Sequence, residues 1–530
     1  MTASTVYVGV GLVGLFLYLH YGSKKPAPNL PPGPKPLPIV GNARDFPPLG
    51  SVEYQHWLKH KDLYGPISSV SAMGQTIVIV HDRHLATEIL DSNSLRSAER
   101  PATEMAAMLH RRINMMPNLG YGDDLRYLRK LFHLQMGTQT LARRFQQEQD
   151  AECRKFLRRV LDEPDKLFHH IQFMTSSTIL KTTYGYTTRT GEPDQLVTLI
   201  ERFAHGFVDI VTPGTWAVDM FPVIKRLPTW SPGTGFRQTL DSVSRMWNEL
   251  KDIPYEMARD QMAKGSHVPS FVSRAVEEMA DASQSPKLSA DPSTSIRSEA
   301  AQVDAIKETA AIMHLGAAET TTTSLTVLTL AMIKFPEVQR RAQEEIDRVV
   351  GTDRLPGFED QSELPYIEAV LTEMLRWFPA LPMSFPHVTS EDMTFQGYDI
   401  PKGSTVLPAV YWFTHDPASH PEPDVFDPER FIAPRSEPDP RQVIFGYGRR
   451  VCPGRYFADA SLYINVARML AAFKISKDTD AEGNEIEPVL GTEPGLSVRL
   501  TPFPYKLVPR SEKHAELLRE VSDVEIQGMS

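Results

Sequence analysis

Cysteine is nearly missing from this chain of 530 residues, with Cys153 and Cys452 the two present. Two cysteines cannot make a disulfide framework, and no further Cys or His stands at zinc-binding spacing around Cys452. The globular part therefore suits a reducing compartment. An excess of positive charge is missing as well. The formal net charge is -10, which argues against a nucleic-acid binder, whose domains are strongly basic. No glycine-rich dinucleotide fingerprint appears, so the chain does not hold a nicotinamide cofactor by a Rossmann motif. No internal repeat divides it.

One long hydrophobic run is present. The residues from Thr2 to Ser23 are uncharged, with His20 neutral, close to the roughly 20 residues that cross a bilayer. Lys24 and Lys25 follow at once. A cleaved signal peptide carries its charge before the apolar core, whereas here the charge comes after it. Residues 1–23 therefore read as an uncleaved membrane anchor, with the lysines and everything downstream on the cytoplasmic side. Residues 24–42 read as a proline-rich linker. Seven prolines between Pro26 and Asn42 favour a stiff, extended spacer that holds the body at a set distance from the membrane. Residues 43–510 are the body and 511–530 a charged tail.

Within the body, Ile67 to Ser71 and Thr76 to Val80 read as a hairpin turning at Gly74. Helical periodicity runs through Thr103 to Met136, Arg143 to Leu161, Leu196 to Ile210 and Gly235 to Lys264. A polar, proline-broken loop spans Ala280 to Ser295. A long helix follows from about Ile296 to Lys334, ending before Pro336, and another runs from Pro365 to Phe378. "MTFQGYDIPKGSTVLPAV" alternates strand and turn signals. A last helix begins after Gly454, with Phe457, Ala460, Ile464, Ala467 and Ala471 on one face. Strands at both ends of a helical middle imply one mainly α (α+β) unit.

Cys452 sits in "FGYGRRVCPGRYFAD", a loop crowded with glycine and arginine. A free cysteine ordinarily behaves as a small buried hydrophobe. This one is placed differently, because the helix that follows offers its positive end, nearby arginines add positive potential, and Gly448 and Gly454 let the backbone approach the sulfur. Pro453 removes one amide donor. A single thiolate without companion ligands suits haem iron, because the porphyrin supplies the other donors.

Four stretches then fall into a known order: "GAAETT" with Glu319 and Thr320, "EMLR" with Glu373 and Arg376, "PERF" with Arg430, and "FGYGRRVCPG" with Phe445, Gly448, Arg450, Cys452 and Gly454. Together they resemble the cytochrome P-450 superfamily over about Pro31 to Arg510. The resemblance implies that family's fold, with a helical body and small β-sheets. It implies haem b (iron protoporphyrin IX), with Cys452 as axial ligand to the iron. It also implies a buried network of Glu373, Arg376 and Arg430, and haem-propionate contacts from His387, Arg450 and Arg129. Glu319 and Thr320 would serve proton delivery during O–O cleavage, with a Thr320 hydroxyl bonded back to Gly316 opening the helix. Two positions depart from the family pattern: Ala317 replaces its second glycine, and Leu125 replaces its tryptophan.

By the same resemblance the substrate pocket is lined from Met105 to Met116, from Ile312 to Thr320, from Leu381 to Phe385 and by the turn Gly495 to Val498. Met105, Met116, Ile312, Met383, Phe385 and Leu496 are its candidate contacts, and their apolar character implies a lipophilic substrate. Pro213 to Pro228 resembles the membrane-facing connection of fungal members such as the O-methylsterigmatocystin oxidoreductases. Arg126, Arg129, Lys130, Arg449 and Arg455 would gather on the cysteine face of an otherwise acidic protein. That patch suits an acidic electron donor, in family terms a membrane-bound NADPH-cytochrome P-450 reductase. The expected protein is a monomeric, single-pass monooxygenase of the endoplasmic reticulum membrane, facing the cytoplasm and using O₂. Two rivals remain: a thiolate-haem enzyme that rearranges peroxides or dehydrates substrates without a reductase, and a non-enzymatic haem- or lipid-binding protein. The proton-relay pair argues against the first.

Overall fold

The computed structural model describes residues 28–520 apart from 39, 49, 73, 102, 189–193, 212–214 and 285–296. The stretch from Thr2 to Ser23 lies outside the described residues, and no helix among those described is long and apolar enough to cross a membrane.

Helices dominate. In chain order the longer ones are α1 (Glu53–Tyr64), α2 (Glu104–His110), α3 (Asp123–Met136), α4 (Gln146–Asp162), α5 (Leu167–Tyr184), α6 (Gln195–Val211), α7 (Phe236–Ala263), α8 (Phe271–Gln284), α9 (Glu299–Lys334), α10 (Pro336–Val349), α11 (Pro365–Trp377), α12 (Arg455–Ala472) and α13 (Glu512–Arg519). Ser298 caps α9 by accepting from the Ala301 N–H, a standard way to satisfy a first-turn donor. The helix stops at Lys334, because Phe335 precedes Pro336 and leaves the helical region at φ -126°.

α9 is the central strut, lying along α5 and touching α3, α11 and α12. Its two halves belong to different apolar clusters. Residues from Ala305 to Met313 pack with α2, α3, α6, α7 and α8, whereas Leu325 to Ile333 pack with α4, α5, α10, α11 and α12. Each fully buried Leu, Ile or Phe there contributes roughly 1.5–3 kcal/mol. The stretch between the halves, carrying Gly316 and Thr320, falls at the junction.

The hairpin forms from Ile67–Ala72 and Gln75–Val80, with Ile67 opposite Val80 and Gly74 turning at φ +81°. The second strand pairs in parallel with Thr405–Pro408, which pairs antiparallel with His387–Val388. Buried Val78, Val80 and Val406 set that register. One sheet therefore joins chain positions more than 300 residues apart and carries His387 to the site.

Several expectations change. Thr103 to Met136 is not one helix: α2 and α3 are separated by an irregular stretch containing Pro117. α12 is not one-sided, since every residue from Ser461 to Ala472 is buried. α1, α5, α8, α10 and α13 were not expected. The proline-rich segment is no free-standing spacer from residue 28 onward. Ser69 donates from its backbone to Pro32 O at 2.9 Å and from its hydroxyl to Pro31 O at 2.6 Å, and Asn42 Nδ2 donates to Pro34 O at 2.9 Å. A side chain at Gly33 would stand 1.9 Å from the Ser69 carbonyl oxygen, so the segment is laid directly on the hairpin. The charged tail likewise opens with a docked helix, as His514, Ala515 and Leu518 of α13 are buried against the body.

Candidate haem site

Cys452 lies between the turn Gly448–Arg450 and α12. Its N–H donates to the Phe445 carbonyl at 2.7 Å, folding the loop back on itself. The Gly454 N–H donates to the sulfur, and α12 directs its positive end there. Burial raises the Cys452 thiol above its ordinary value, while the Gly454 N–H, Arg129 and Arg455 pull it back down. Cys153 contrasts with it: buried in the core, its thiol is pushed up to about 11 by desolvation, so it is an inert packing group.

Among the described residues no group of three or more His, Cys, Asp or Glu side chains could hold a metal ion. A metal on Cys452 must therefore bring its other ligands with it, which is what a porphyrin does.

The glycines act differently from expectation. Gly448 adopts φ +50°, and a Cβ there would stand 2.5 Å from the Leu90 carbonyl oxygen and 2.5 Å from the Ser94 Cβ. Its N–H donates to the Asp91 carboxylate. Gly448 thus lets the loop dock on the Glu88–Ser92 turn rather than on the sulfur. Gly454, at φ -91°, has room for a side chain against Phe132 at 3.5 Å; what it supplies is its N–H. Gly446, not singled out from the sequence, holds φ +77°.

Beside the cysteine, four cationic or basic groups converge. Arg129 Nη2 donates to Val451 O at 2.8 Å. Arg450 Nε donates to Ala98 O at 2.7 Å and its terminal nitrogens to Met116 O and Leu119 O. His387 Nδ1 bonds Ser97 O at 2.8 Å, and burial together with Arg100 and Arg450 pushes its pKa down to about 3. The fourth group, Arg100, was not foreseen. It donates to Pro117 O at 3.0 Å, Phe385 O at 3.3 Å and Pro386 O at 2.6 Å. Burial, Arg450 and Arg129 lower its pKa well below the usual guanidinium value. These mutual repulsions make the cluster fit a dianion such as a pair of haem propionates. The only sequence signal for Arg100 was an arginine before Pro101, which carries no chemistry alone.

On α9, Thr320 donates to Gly316 O at 3.1 Å, as the helix-opening expectation requires. Gly316 is exposed between the buried stretches Glu308–His314 and Thr323–Ile333 of the helix, and a Cβ there would meet nothing within 4 Å. Open space thus lies at the junction of the two apolar clusters. Glu319 does not share Thr320's direction: it accepts from Arg499 Nη2, and both line a cavity of about 300 Å³ between α9, α5, α6 and the Arg499–Leu500 strand.

The buried network is assembled. Glu373 accepts from Arg376 Nε at 2.7 Å and Nη2 at 2.8 Å, from Arg430 Nε at 3.4 Å, and from the Asp427 N–H at 2.8 Å. Met105, Met116 and Ile312 fall into one apolar cluster and Met383 into the other. Phe385 lies under the Arg100 guanidinium, 5.6 Å from its ring centroid. Leu496 is half-buried in its turn, where Val498 N–H donates to Ala380 O at 3.0 Å and ties that turn to the Leu381–Phe385 segment. Leu125 is buried at its family-variant position. Of the five basic residues on the cysteine side, Arg129 points inward, while Arg126 pairs with Asp123 and Arg449 donates to Tyr121 Oη at 2.7 Å.

A helical body with one thiol on a tight loop at a helix N-terminus, coupled to a cationic cluster, fits the class of haem-thiolate proteins. The family model described as Cytochrome P-450 matches residues 31–502. The chain is 43% identical over 513 residues to the cytochrome P-450 monooxygenase CLM2 of Gibberella zeae, covering 97% of this chain and 95% of that protein. It is 41% identical to a multifunctional cytochrome P-450 monooxygenase, af510, of Aspergillus fumigatus, with 95% and 92% covered. To an O-methylsterigmatocystin oxidoreductase of Aspergillus flavus it is 34% identical, with 98% and 96% covered. The chain belongs to the cytochrome P-450 family and is a haem-thiolate monooxygenase of the fungal type.

Proposed function

We propose that this monooxygenase inserts one oxygen atom of O₂ into a lipophilic small molecule of fungal secondary or xenobiotic metabolism. The electrons come from NADPH through a separate reductase at the endoplasmic reticulum membrane. The observation that carries the reading is the juxtaposition of Cys452 with Arg100, Arg129, Arg450 and His387, a donor set suited to a thiolate-ligated porphyrin dianion.

Haem, when bound, supplies the O₂ chemistry, in which one oxygen atom enters the product and the other leaves as water with two electrons and two protons. Cys452 would supply the thiolate: burial raises its thiol, the Gly454 N–H, Arg129 and Arg455 ease it back down, and the charged sulfur would be stabilised by a bound iron. Phe445 and Gly448 shape the loop, while Arg100, Arg129 and Arg450 would neutralise the propionates, and His387, uncharged at neutral pH on its own, would join them as a cation on taking up a proton there. Glu373, Arg376 and Arg430 brace the segment leading into the cysteine loop. Thr320, with Glu319, moves protons to the oxygen side. Met105, Met116, Ile312, Met383, Phe385 and Leu496 form the apolar wall that receives substrate.

Residues 1–23 anchor the chain, and a second apolar contact supports the anchoring. Phe221, Val223, Leu227 and Trp230 are exposed at 58%, 65%, 39% and 82%, a cluster with Lys225 and Arg226 that suits a membrane surface. Because the proline-rich segment lies on the hairpin from Pro31 onward, few residues of the chain remain to space the body from residues 1–23. Deleting residues 1–23 is therefore expected to leave part of the protein on vesicles until Phe221 and Trp230 are also replaced by serine. Full solubility of the simple deletion would remove this second contact.

Reconstitution with reductase, NADPH and a panel of lipophilic compounds tests the whole reading. Oxygenated product that depends on reductase is expected; turnover only with added peroxide, or haem binding without turnover, would overturn it.

A further inference from the structure

Glu319 and Arg499 meet inside a cavity rather than at the open space beside Gly316. The charged groups lining that cavity are Glu319 from α9, Glu201 from α6, and Glu493 and Arg499 from the two-stranded ribbon Thr492–Glu493 and Arg499–Leu500. Glu201 is engaged, accepting from Gln172 Nε2 at 2.8 Å. Glu493 stands directly across the ribbon from Arg499 in the strand register, and directly opposed residues have Cβ atoms about 4.5–5.5 Å apart. Arg499 therefore has two carboxylates within side-chain reach, one on the helix that carries Thr320 and one on its own ribbon.

We propose that Arg499 is a positioning residue that alternates between Glu319 and Glu493. Paired with Glu319, it holds that carboxylate in the cavity, turned away from Thr320. Moved to Glu493, it releases Glu319 to exchange a proton with cavity water and pass it towards Thr320. The exchange is cheap because one ion pair replaces another at the same guanidinium, with Glu319 and Arg499 side chains 24% and 34% exposed. Partly exposed pairs of this kind differ by little in free energy. Only O–H bonds change: a cavity water gives a proton to the Glu319 carboxylate and is reprotonated from bulk solvent, and Glu319 passes its proton on towards Thr320 and returns to the carboxylate.

The inference rests on the reading of Glu319 and Thr320 as the proton path, and a double-mutant cycle separates the two. The measurements use haem-loaded protein with reductase and NADPH, and read product per NADPH, hydrogen peroxide and the solvent isotope effect on product formation. Glu493→Gln removes the alternative partner, so it is expected to lower product per NADPH about two- to fivefold, the weight of one partly exposed pair, with a larger isotope effect and unchanged haem content. In Arg499→Gln, Glu319 is never locked, and adding Glu493→Gln should then change nothing. Arg499→Lys should restore the sensitivity to Glu493→Gln. Ala204→Leu, which narrows the same cavity from α6, should also raise the isotope effect. If Glu493→Gln is silent, or acts equally in the Arg499→Gln background, the alternation is wrong. If Glu319→Gln itself leaves coupling intact, the underlying proton-path reading fails instead.

Discussion

Arg376 closes a two-point fork on Glu373, Nε to Oε2 at 2.7 Å and Nη2 to Oε1 at 2.8 Å, with both side chains fully buried. At i and i+3 on an exposed helix this pair would contribute a few tenths of a kcal/mol. Buried, it also sets the position of the Pro423 and Val425 carbonyls, which accept from Arg376 Nη2 at 2.8 and 3.3 Å, and of Arg430. Glu373→Gln leaves two guanidinium groups without their carboxylate, so a loss of about 3–5 kcal/mol is expected. Denaturant unfolding of the purified variant measures it, and a loss below about 1 kcal/mol would remove the network from the scaffold.

Cys452→Ser replaces the sulfur with a neutral hydroxyl that cannot supply thiolate donation. The thiolate-type spectrum of the reduced, carbon monoxide-bound protein should disappear, and a spectrum that persists would assign the ligand elsewhere.

Gly448→Ala puts a Cβ 2.5 Å from Leu90 O and Ser94 Cβ at a backbone of φ +50°. Both effects act against it, and a cost of about 1–3 kcal/mol is expected from the backbone conformation alone. Haem retention on dilution should fall with it. Gly454→Ala, with its nearest non-neighbour atom at 3.5 Å, should be tolerated far better, and equal losses in the two variants would contradict the packing role given to Gly448.

Thr320→Ala removes the hydroxyl that bonds Gly316 O. If that hydroxyl organises protons, product formation per NADPH should fall by a factor within the roughly 10²–10⁴ range of general acid assistance, with the electrons appearing as hydrogen peroxide. Thr320→Ser should recover most of the coupling. Unchanged coupling with a gain in thermal stability would leave Thr320 as a helix residue only.

Glu308 on α9 is buried, with Lys251 Nζ at 3.8 Å but engaged more closely by Asp304 at 2.9 Å. Desolvation outweighs that distant cation and raises Glu308 from 4.5 to about 8. The folded protein therefore keeps a proton that the unfolded chain releases, so stability is highest below pH 4.5 as far as this group is concerned and declines as the pH rises towards 8. The contribution is on the order of a few kcal/mol across that window. Glu308→Gln should flatten the fall in Tm between pH 5 and 8, and an unaltered pH dependence would show the group already ionised in the native state.

Local grammar determined much of this protein from the chain alone. The cysteine loop, the i and i+3 spacing of Glu373 and Arg376, and the threonine that bonds back to Gly316 are short-range patterns, and each appears in the structure at the residues that spelled it. α5, lost to sequence reading, is buried on nearly every side, which erases the one-sided periodicity that marks a surface helix; α10, by contrast, buries one side through Val338, Ala342 and Ile346, a period the sequence carried and the reading missed. Arg100 could not be read because an isolated arginine gains a role only when the loop carrying Pro117 and the strand His387–Val388 close around it. The direction of Glu319 was likewise undecidable. Adjacent helix residues point about 100° apart, and the cation that draws Glu319 away from Thr320 arrives from Arg499, 180 residues later. Only tertiary packing sets which distant charge stands there, because electrostatic partners are chosen by proximity in space and leave no period in the sequence.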